Sequence, residues 1–320
     1  TKIKSQGRTG TCWCFSTVSF MESEVMRREG KEIDLSEMFL VRHTYTKKAD
    51  NYIRLHGKAN FSQGALSHDA MDQYAEFGIT PESAYSGLNL GSDVHNHSEM
   101  VTVLSNMLDG VLKARHPSIR WKDAFNAVAD AYLGTPPQTF EYKNRTYTPK
   151  EFARKVVRLD ADDYVELTSF ANHDFYTQFR LEVPDNWNYN DDFYNLPLAK
   201  LTEVAEYALK NGYSIAWDGD VSERTFMTRN KGVAIVPAGT PGEDFTEPVE
   251  EKEITQKYRQ KEFNNFSTTD DHLMHIVGIA TDQNDNTFFY FKNSWGESGI
   301  YDRYFYMSVP SFNLKTTAIM

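Results

Sequence analysis

Gln6-Gly7-Arg8-Thr9-Gly10-Thr11-Cys12-Trp13-Cys14-Phe15 is the stretch of this 320-residue chain on which its fold turns. It puts a cysteine at a helix start, behind a loop of small residues and six positions beyond a glutamine. The thiolate is the reactive form of cysteine. A helix N-terminus stabilises it with partial positive charge and unsatisfied N–H groups. Gln6 is spaced to aim an amide N–H at the same point as the Cys12 backbone N–H, which would make an oxyanion hole. An isolated cysteine is ordinarily a small buried filler, so the reading depends on what lies downstream.

A cysteine nucleophile needs a base and a group to hold that base. Asp271-His272-Leu273-Met274-His275-Ile276-Val277-Gly278 brings a histidine into a strand. Lys292-Asn293-Ser294-Trp295-Gly296 then sets an asparagine at the exit of the next strand. On adjacent strands the two would meet side by side. Asn293 would hold the His272 imidazole, and Trp295 would cover that hydrogen bond from water.

In order and local spacing, Gln6, Cys12-Trp13, Asp271-His272 and Asn293-Ser294-Trp295-Gly296 resemble the papain-type cysteine peptidases. The signature around that nucleophile is C-G-[SA]-C-[WY], with His and Asn roughly 130–150 residues downstream. There are two departures. Thr9 stands where the pattern has its first cysteine, so the disulfide implied there is lost. His272 lies 260 residues after Cys12 (272 − 12), about 110 more than the pattern allows. The excess falls on a helical middle. That insertion, the missing disulfide, Leu133-Gly134-Thr135-Pro136-Pro137 and Ala216-Trp217-Asp218-Gly219-Asp220-Val221 resemble the bleomycin hydrolase branch, called aminopeptidase C in bacteria. The resemblance runs from Ile3 to about Tyr306.

The resemblance implies an α+β, papain-like, two-lobed fold with the active-site cleft between the lobes. One peptidase domain would fill residues 1–320: a helical lobe over 1–85 with the nucleophile helix, a helical insertion over 86–212, and a β-rich lobe over 213–320 with the His and the Asn. Cys12 would attack the scissile carbonyl, His272 would carry the proton, Asn293 would hold His272, and Gln6 would complete the oxyanion hole. Gly64 aligns with a family glycine whose backbone pairs with the peptide. Leu273 would line the pocket for the substrate's second side chain, beside Trp295. No cofactor and no metal are implied. The partners are peptide substrates and, by family habit, five further copies in a closed ring. Family habit and the lack of disulfides point to the cytoplasm. The expected activity is removal of N-terminal residues, with a papain-like endopeptidase or a catalytically silent peptide-binding homologue as alternatives. In the bleomycin hydrolase family a C-terminal arm lies in the cleft and its terminal carboxylate meets the substrate's α-amine. This chain stops at Met320, 24 residues past Gly296 (320 − 296), which is short of that family's tail and keeps the endopeptidase alternative open.

Composition agrees with an ordinary globular protein, at 40% hydrophobic and 25% charged residues. The formal charge of −11 repels phosphate backbones, so nucleic acid is not expected as a partner. No apolar run approaches the roughly 18 residues of a membrane span. The two cysteines, two positions apart, point in different directions in a helix or strand, so they do not bridge. The chain opens Thr1-Lys2-Ile3-Lys4 without an initiator methionine, so an upstream segment is expected to have been trimmed.

Helical periodicity runs from Cys12 to Glu29 with a stop at Gly30, from Met38 to about Tyr45, and from Ser67 to Phe77. It returns at Val101–Leu112, Trp121–Leu133 and Leu198–Lys210, and Thr148-Pro149-Lys150-Glu151 opens a further helix. From Tyr213 onward short β-branched and aromatic runs predict strands at 214–217, 233–236, 275–280, 287–292 and 304–307.

Other chemistry-bearing residues read as structural. Cys14 is a buried filler, and His275 is packed inside its strand. His95-Asn96-His97 has no acid or cysteine to complete a metal set and reads as loop histidines. Asp160, Asp162 and Asp163 lack the glycine and glutamate of a calcium loop and read as a solvated helix end. The acidic loop from Glu243 to Glu253 is a solvated face. The sequons at Asn60, Asn96, Asn144 and Asn265 carry no meaning outside a secretory context.

Overall fold

The computed structural model describes residues 3–239, 246–296 and 299–320. The first part of the acidic loop, through residue 245, lies outside them, as do Thr1 and Lys2. The chain divides into two compact units, Thr1–Tyr164 with Pro184–Asn190, and Val165–Val183 with Asp191–Met320.

The first unit is helical. It holds α1 (Cys12–Glu29), α2 (Glu37–Arg54), α3 (Ser67–Phe77), α4 (Ser98–Leu112) and α5 (Arg120–Leu133). After these come a hairpin of β1 (Phe140–Tyr142) and β2 (Arg145–Tyr147), and a short α6 (Pro149–Phe152). α1 ends where Gly30 adopts φ 64° and returns its N–H to Met26 O at 2.9 Å. α2 is capped by Ser36, whose Oγ accepts the Phe39 N–H at 3.1 Å. α6 opens on a reciprocal Thr148–Glu151 capping box with Pro149 in its first turn, then widens into a π turn over Ala153–Val157.

α1 is buried over most of its circumference, with Trp13, Val18, Met21 and Val25 each at most 1% exposed. Each such apolar side chain contributes about 1.5–3 kcal/mol by leaving water. The helix also buries carboxylates, which must be paired. Glu22 accepts the Leu35 N–H at 2.9 Å, and Glu24 takes both arms of Arg27. Lys4 binds Glu37 at 2.7 Å and Asp34 at 3.0 Å, which anchors the segment running into Gln6.

The second unit carries one mixed sheet. Its strands are β3 (Leu167–Thr168), β4 (Gln178–Phe179), β5 (Phe193–Asn195), β6 (Ile215–Gly219), β7 (Phe226–Met227), β8 (Val233–Ala234), β9 (His272–Thr281), β10 (Thr287–Lys292), β11 (Tyr304–Ser308) and β12 (Thr316–Ile319). Among the described residues their order is β4-β5-β3-β12-β6-β9-β10-β11-β8-β7. The helices α7 (Leu198–Lys210), α8 (Gln256–Asn264) and α9 (Val309–Lys315) belong to this unit. Its core joins Trp217, Met274, Ile276, Phe289, Phe291, Phe305, Met307 and Phe312 to Leu201 and Ala205 of α7. Antiparallel pairing of β9 with β10 runs through Thr287↔Thr281 to Lys292↔His275, with one register shift at Tyr290/Phe291. The start of β9 therefore lies beside the exit of β10.

Several elements differ from the periodicity reading. α2 continues to Arg54 because its polar-looking second half still presents Lys48 and Ala49 inward. Residues 165–195, expected within a helical insertion, supply β3, β4 and β5. Strands of two or three residues are too short to display a period. α8 was missed because Gln256-Lys257-Tyr258-Arg259-Gln260-Lys261 has no apolar stripe. Arg259 holds the helix down instead, through Ser169 O at 2.7 Å and Asn313 O at 2.8 Å. Thr316–Ile319 is a strand between β6 and β3, extended by reciprocal Met320–Ala216 bonds of 2.9 Å. The acidic loop is not wholly solvated either: Glu251 Oε2 accepts from Val236 N–H at 2.7 Å and Ser308 Oγ at 2.6 Å. No helix among the described residues is long and apolar enough to cross a membrane.

Candidate active site

In the first unit Cys12 is the first residue of α1 and is 8% exposed. The loop before it is tied down at nearly every residue. Gln6 donates from Nε2 to Thr9 O at 2.6 Å, which commits one of its two amide protons and sets the amide plane. Thr9 replies through Oγ1 to Gln6 O at 2.8 Å and shares a 2.6 Å bond with Thr11 Oγ1. A hydroxyl network thus closes the loop at the residue where the papain pattern has a cysteine. Gly7 sits at φ +61°, and a Cβ there would stand 2.6 Å from His95 O.

Two segments distant in sequence hold this loop. Arg8 N–H bonds His95 O at 2.8 Å. Gln63 reaches both sides of the cysteine: its Oε1 accepts Gly10 N–H at 2.8 Å, and its backbone O accepts the Trp13 indole N–H at 2.9 Å. His95 and His97 lie in the loop before α4, as expected, and are packed rather than solvated. His97 is 2% exposed and its Nδ1 meets Tyr45 OH at 3.1 Å. Burial pushes the two imidazoles down to about 4 and about 3. Cys12 and Cys14 both carry thiols rather than a disulfide. Cys14 is fully buried with Sγ 3.2 Å from Glu37 O, and burial pushes its pKa well up.

In the second unit His272 opens β9 and Asn293 follows β10. Their side chains are in contact, His272 Nε2 lying 2.8 Å from Asn293 Oδ1. The Ser294 N–H donates to the same oxygen at 2.7 Å, and an amide NH₂ could not accept it. The atom facing His272 is therefore an acceptor, so Nε2 carries the proton and the neutral ring keeps its lone pair on Nδ1. Burial pushes the imidazole down to about 4, against the Asn293 bond, which raises it. At neutral pH the ring is a neutral base with a defined tautomer. Trp295 lies over it, ring centroids 4.5 Å apart at 30°, and Phe226 meets Trp295 edge-on.

The remaining expected residues fall as follows. Leu273 is 2% exposed in β9, on the strand face opposite Met274 and Ile276. His275 is 1% exposed in the same strand, pushed down to about 3 by burial and Lys292. Asp160 caps the short turn Ala161–Asp163, and Asp163 pairs with Arg28 at 3.1 Å. Gly64 lies in the first unit beside Gln63, pressed against Asp185 and bonded at its carbonyl by Lys48 Nζ. The structure thus unites Gln6 with the Cys12 loop, and His272 with Asn293 and Trp295.

Gln63, Lys48 and Asp185 escaped the sequence reading. Lys48 left a usable signal, since it continues the inward stripe of Leu40, Val41, Thr44 and Tyr45 on α2. Asp185 left none, because no spacing rule links it to Gly64.

The fold is that of the papain-like cysteine peptidases, and comparison with known proteins gives the same class. Residues 1–110 match the papain family cysteine proteases, and residues 104–315 match the Peptidase C1-like family. The chain belongs to the Peptidase C1-like family and is a cysteine-type peptidase. Aminopeptidase G of Lactobacillus delbrueckii subsp. lactis is 24% identical over 348 residues, covering 96% of this chain and 77% of that one. Aminopeptidase C of Lactococcus lactis subsp. cremoris is 22% identical over 363 residues, covering 96% and 77%. The crystal structure of PepW from Lactobacillus rhamnosis HN001 shares the fold, with a TM-score of 0.76 at 18% identity over 99% of this chain and 79% of that one.

Proposed function

We propose that Cys12 is the nucleophile of an aminopeptidase, His272 its base, Asn293 the residue that orients the base, and Gln6 a donor to the oxyanion. The observation that carries this reading is the His272–Asn293–Ser294 arrangement, which leaves Nδ1 as the one basic nitrogen of a neutral imidazole. In the reaction, Nδ1 takes the Cys12 thiol proton as sulfur bonds to the scissile carbonyl carbon. The negative charge on that oxygen is met by N–H donors. The C–N bond then breaks, and the imidazolium returns its proton to the leaving amine. Water, deprotonated by the same nitrogen, attacks the thioester, releases the acid and restores the thiol.

The aminopeptidase half rests on relatives that carry that name across nearly the whole chain. On this reading residues 1–320 act as one peptidase domain on peptide substrates, with Leu273 and Trp295 beside the substrate. The chain would work in the cytoplasm and assemble as a hexameric ring. The test is an aminoacyl 4-nitroanilide compared with its N-acetyl form, with Cys12→Ser as control. Cleavage of the free-amine substrate alone, abolished in C12S, supports the reading. Cleavage restricted to the blocked substrate, or full activity in C12S, sinks it. Sedimentation of the pure protein reads the ring.

A further inference from the structure

The contact between Gly64 and Asp185 has no counterpart in the chemistry described above. A Cβ on Gly64 would overlap Asp185 Oδ2 and Cγ outright and come within 2.6 Å of Oδ1, so the carboxylate rests on the glycine's α-carbon. The Gly64 carbonyl is already engaged by Lys48 Nζ. Gln63, the preceding residue, bonds Gly10 and Trp13 on either side of Cys12, so this strip of backbone is fixed to the nucleophile loop.

Asp185 is itself held in place. Its Oδ1 accepts from Asn60 Nδ2 at 3.0 Å and Ser62 Oγ at 3.5 Å, and Asn60 Nδ2 also bonds Pro184 O at 3.1 Å. Oδ2 receives no hydrogen bond among the described residues, and the side chain is only half-buried. The nearby Lys48 spends its hydrogen bonds on Gly64 O and Ser62 Oγ, and reaches Asp185 only through its charge, which offsets part of the rise that burial gives the carboxyl. A carboxylate with one oxygen anchored and the other open is prepared for a cation.

We infer that Asp185 is the specificity-determining anchor for the free α-ammonium of the substrate, a proposal that rests on the peptidase reading above. A peptide running on past Gly64 would have to displace the carboxylate or leave its Oδ2 without a hydrogen bond. A peptide that ends there offers an ammonium, which completes a charge-assisted hydrogen bond to Oδ2. A site built for a charged donor rejects the analogue lacking it, because the open Oδ2 is then left without its hydrogen bond. The aminopeptidase preference is thus supplied by a side chain of the segment Pro184–Asn190, which packs within the first unit.

The test compares the full chain with Asp185→Asn and Asp185→Glu on leucine 4-nitroanilide and N-acetyl-leucine 4-nitroanilide. In D185N the KM for the free amine should rise about 10- to 100-fold, with kcat little changed. Turnover of the acetylated substrate should hold or rise. D185E, which keeps the charge, should retain a measurable part of the free-amine preference, and it also answers for a D185N protein that fails to fold. Alkylation of Cys12 by iodoacetamide at the wild-type rate certifies an intact nucleophile in each variant. Equal losses on both substrates, or none on either, overturn the inference. A wild-type chain that is alkylated yet cleaves neither substrate overturns the peptidase reading, and the inference with it.

Discussion

His272 Nε2 stands 2.8 Å from Asn293 Oδ1, and the Ser294 N–H closes on that same oxygen from 2.7 Å. The oxygen is saturated from two sides, so the asparagine has little freedom to turn its amide over. The imidazole is held in one tautomer by backbone as well as by side chain, and the Trp295 ring packs over it.

Asn293→Ala should lower kcat/KM about 100-fold, the scale expected when a reacting group is misplaced by about 1 Å. The loss should fall on kcat rather than KM, and the acid limb of the pH profile should move as the imidazole loses its acceptor. Steady-state kinetics between pH 4 and 8 read both. An unchanged profile with a raised KM would instead make Asn293 a binding residue.

The two thiols should behave oppositely. Under native conditions iodoacetamide should modify one cysteine per chain, Cys12, while Cys14 stays unreacted in its buried site against Glu37 O. Cys12→Ser should cost at least about 1,000-fold in activity, and Cys14→Ser should leave it within a factor of about three. Peptide mass mapping after brief labelling decides the assignment; label on Cys14 would contradict the packing described for α1.

Gly64→Ala should destabilise the protein by about 1–3 kcal/mol, because the new methyl and the Asp185 carboxylate claim the same space. Asp185→Ala in the same chain should recover most of that loss. Urea unfolding of the four proteins forms a double-mutant cycle, and a coupling energy near zero would remove the contact from the account.

Acid should destabilise the fold through its buried histidines, and His43 is the cleanest probe. It stacks on Phe77 at 4.0 Å, and burial, assisted by Arg42, pushes it down to about 4 from 6.5. The unfolded chain therefore takes up the proton first. The stability His43 contributes is whole above pH 6.5 and is lost as pH falls through 4. His43→Gln should reduce the proton uptake on unfolding by about one between those limits. Glu37 and Glu82, raised to about 8 and about 7 chiefly by burial, act in the opposite direction, so the comparison of variants isolates the histidine.

Legibility varied with the length of the interaction in sequence. α7 and β10 were readable to the residue, because Leu198–Lys210 and Thr287–Lys292 carry full periodic patterns between turn residues. α8 and β12 were not, since Arg259 reaching Ser169 and Ile319 pairing with Trp217 are long-range contacts that decide otherwise neutral segments. The meeting of His272 and Asn293 was legible because each sits at the end of a recognisable strand. Asp185 was invisible, being one of several acidic residues in its stretch, with no motif to mark it.

By itself the sequence determined the class of this protein: a thiol at a helix start, a histidine and asparagine at the ends of neighbouring strands, and Thr9 where the pattern has a disulfide cysteine. Those are local matters, set by caps, periodicity and residue chemistry within a few turns of chain. Only the tertiary structure decided which tautomer His272 holds, how Gln63 and His95 brace the Cys12 loop, and what rests on Gly64. Each of these depends on groups brought together across tens or hundreds of residues, and contacts between such groups leave no pattern in the order of the residues that make them.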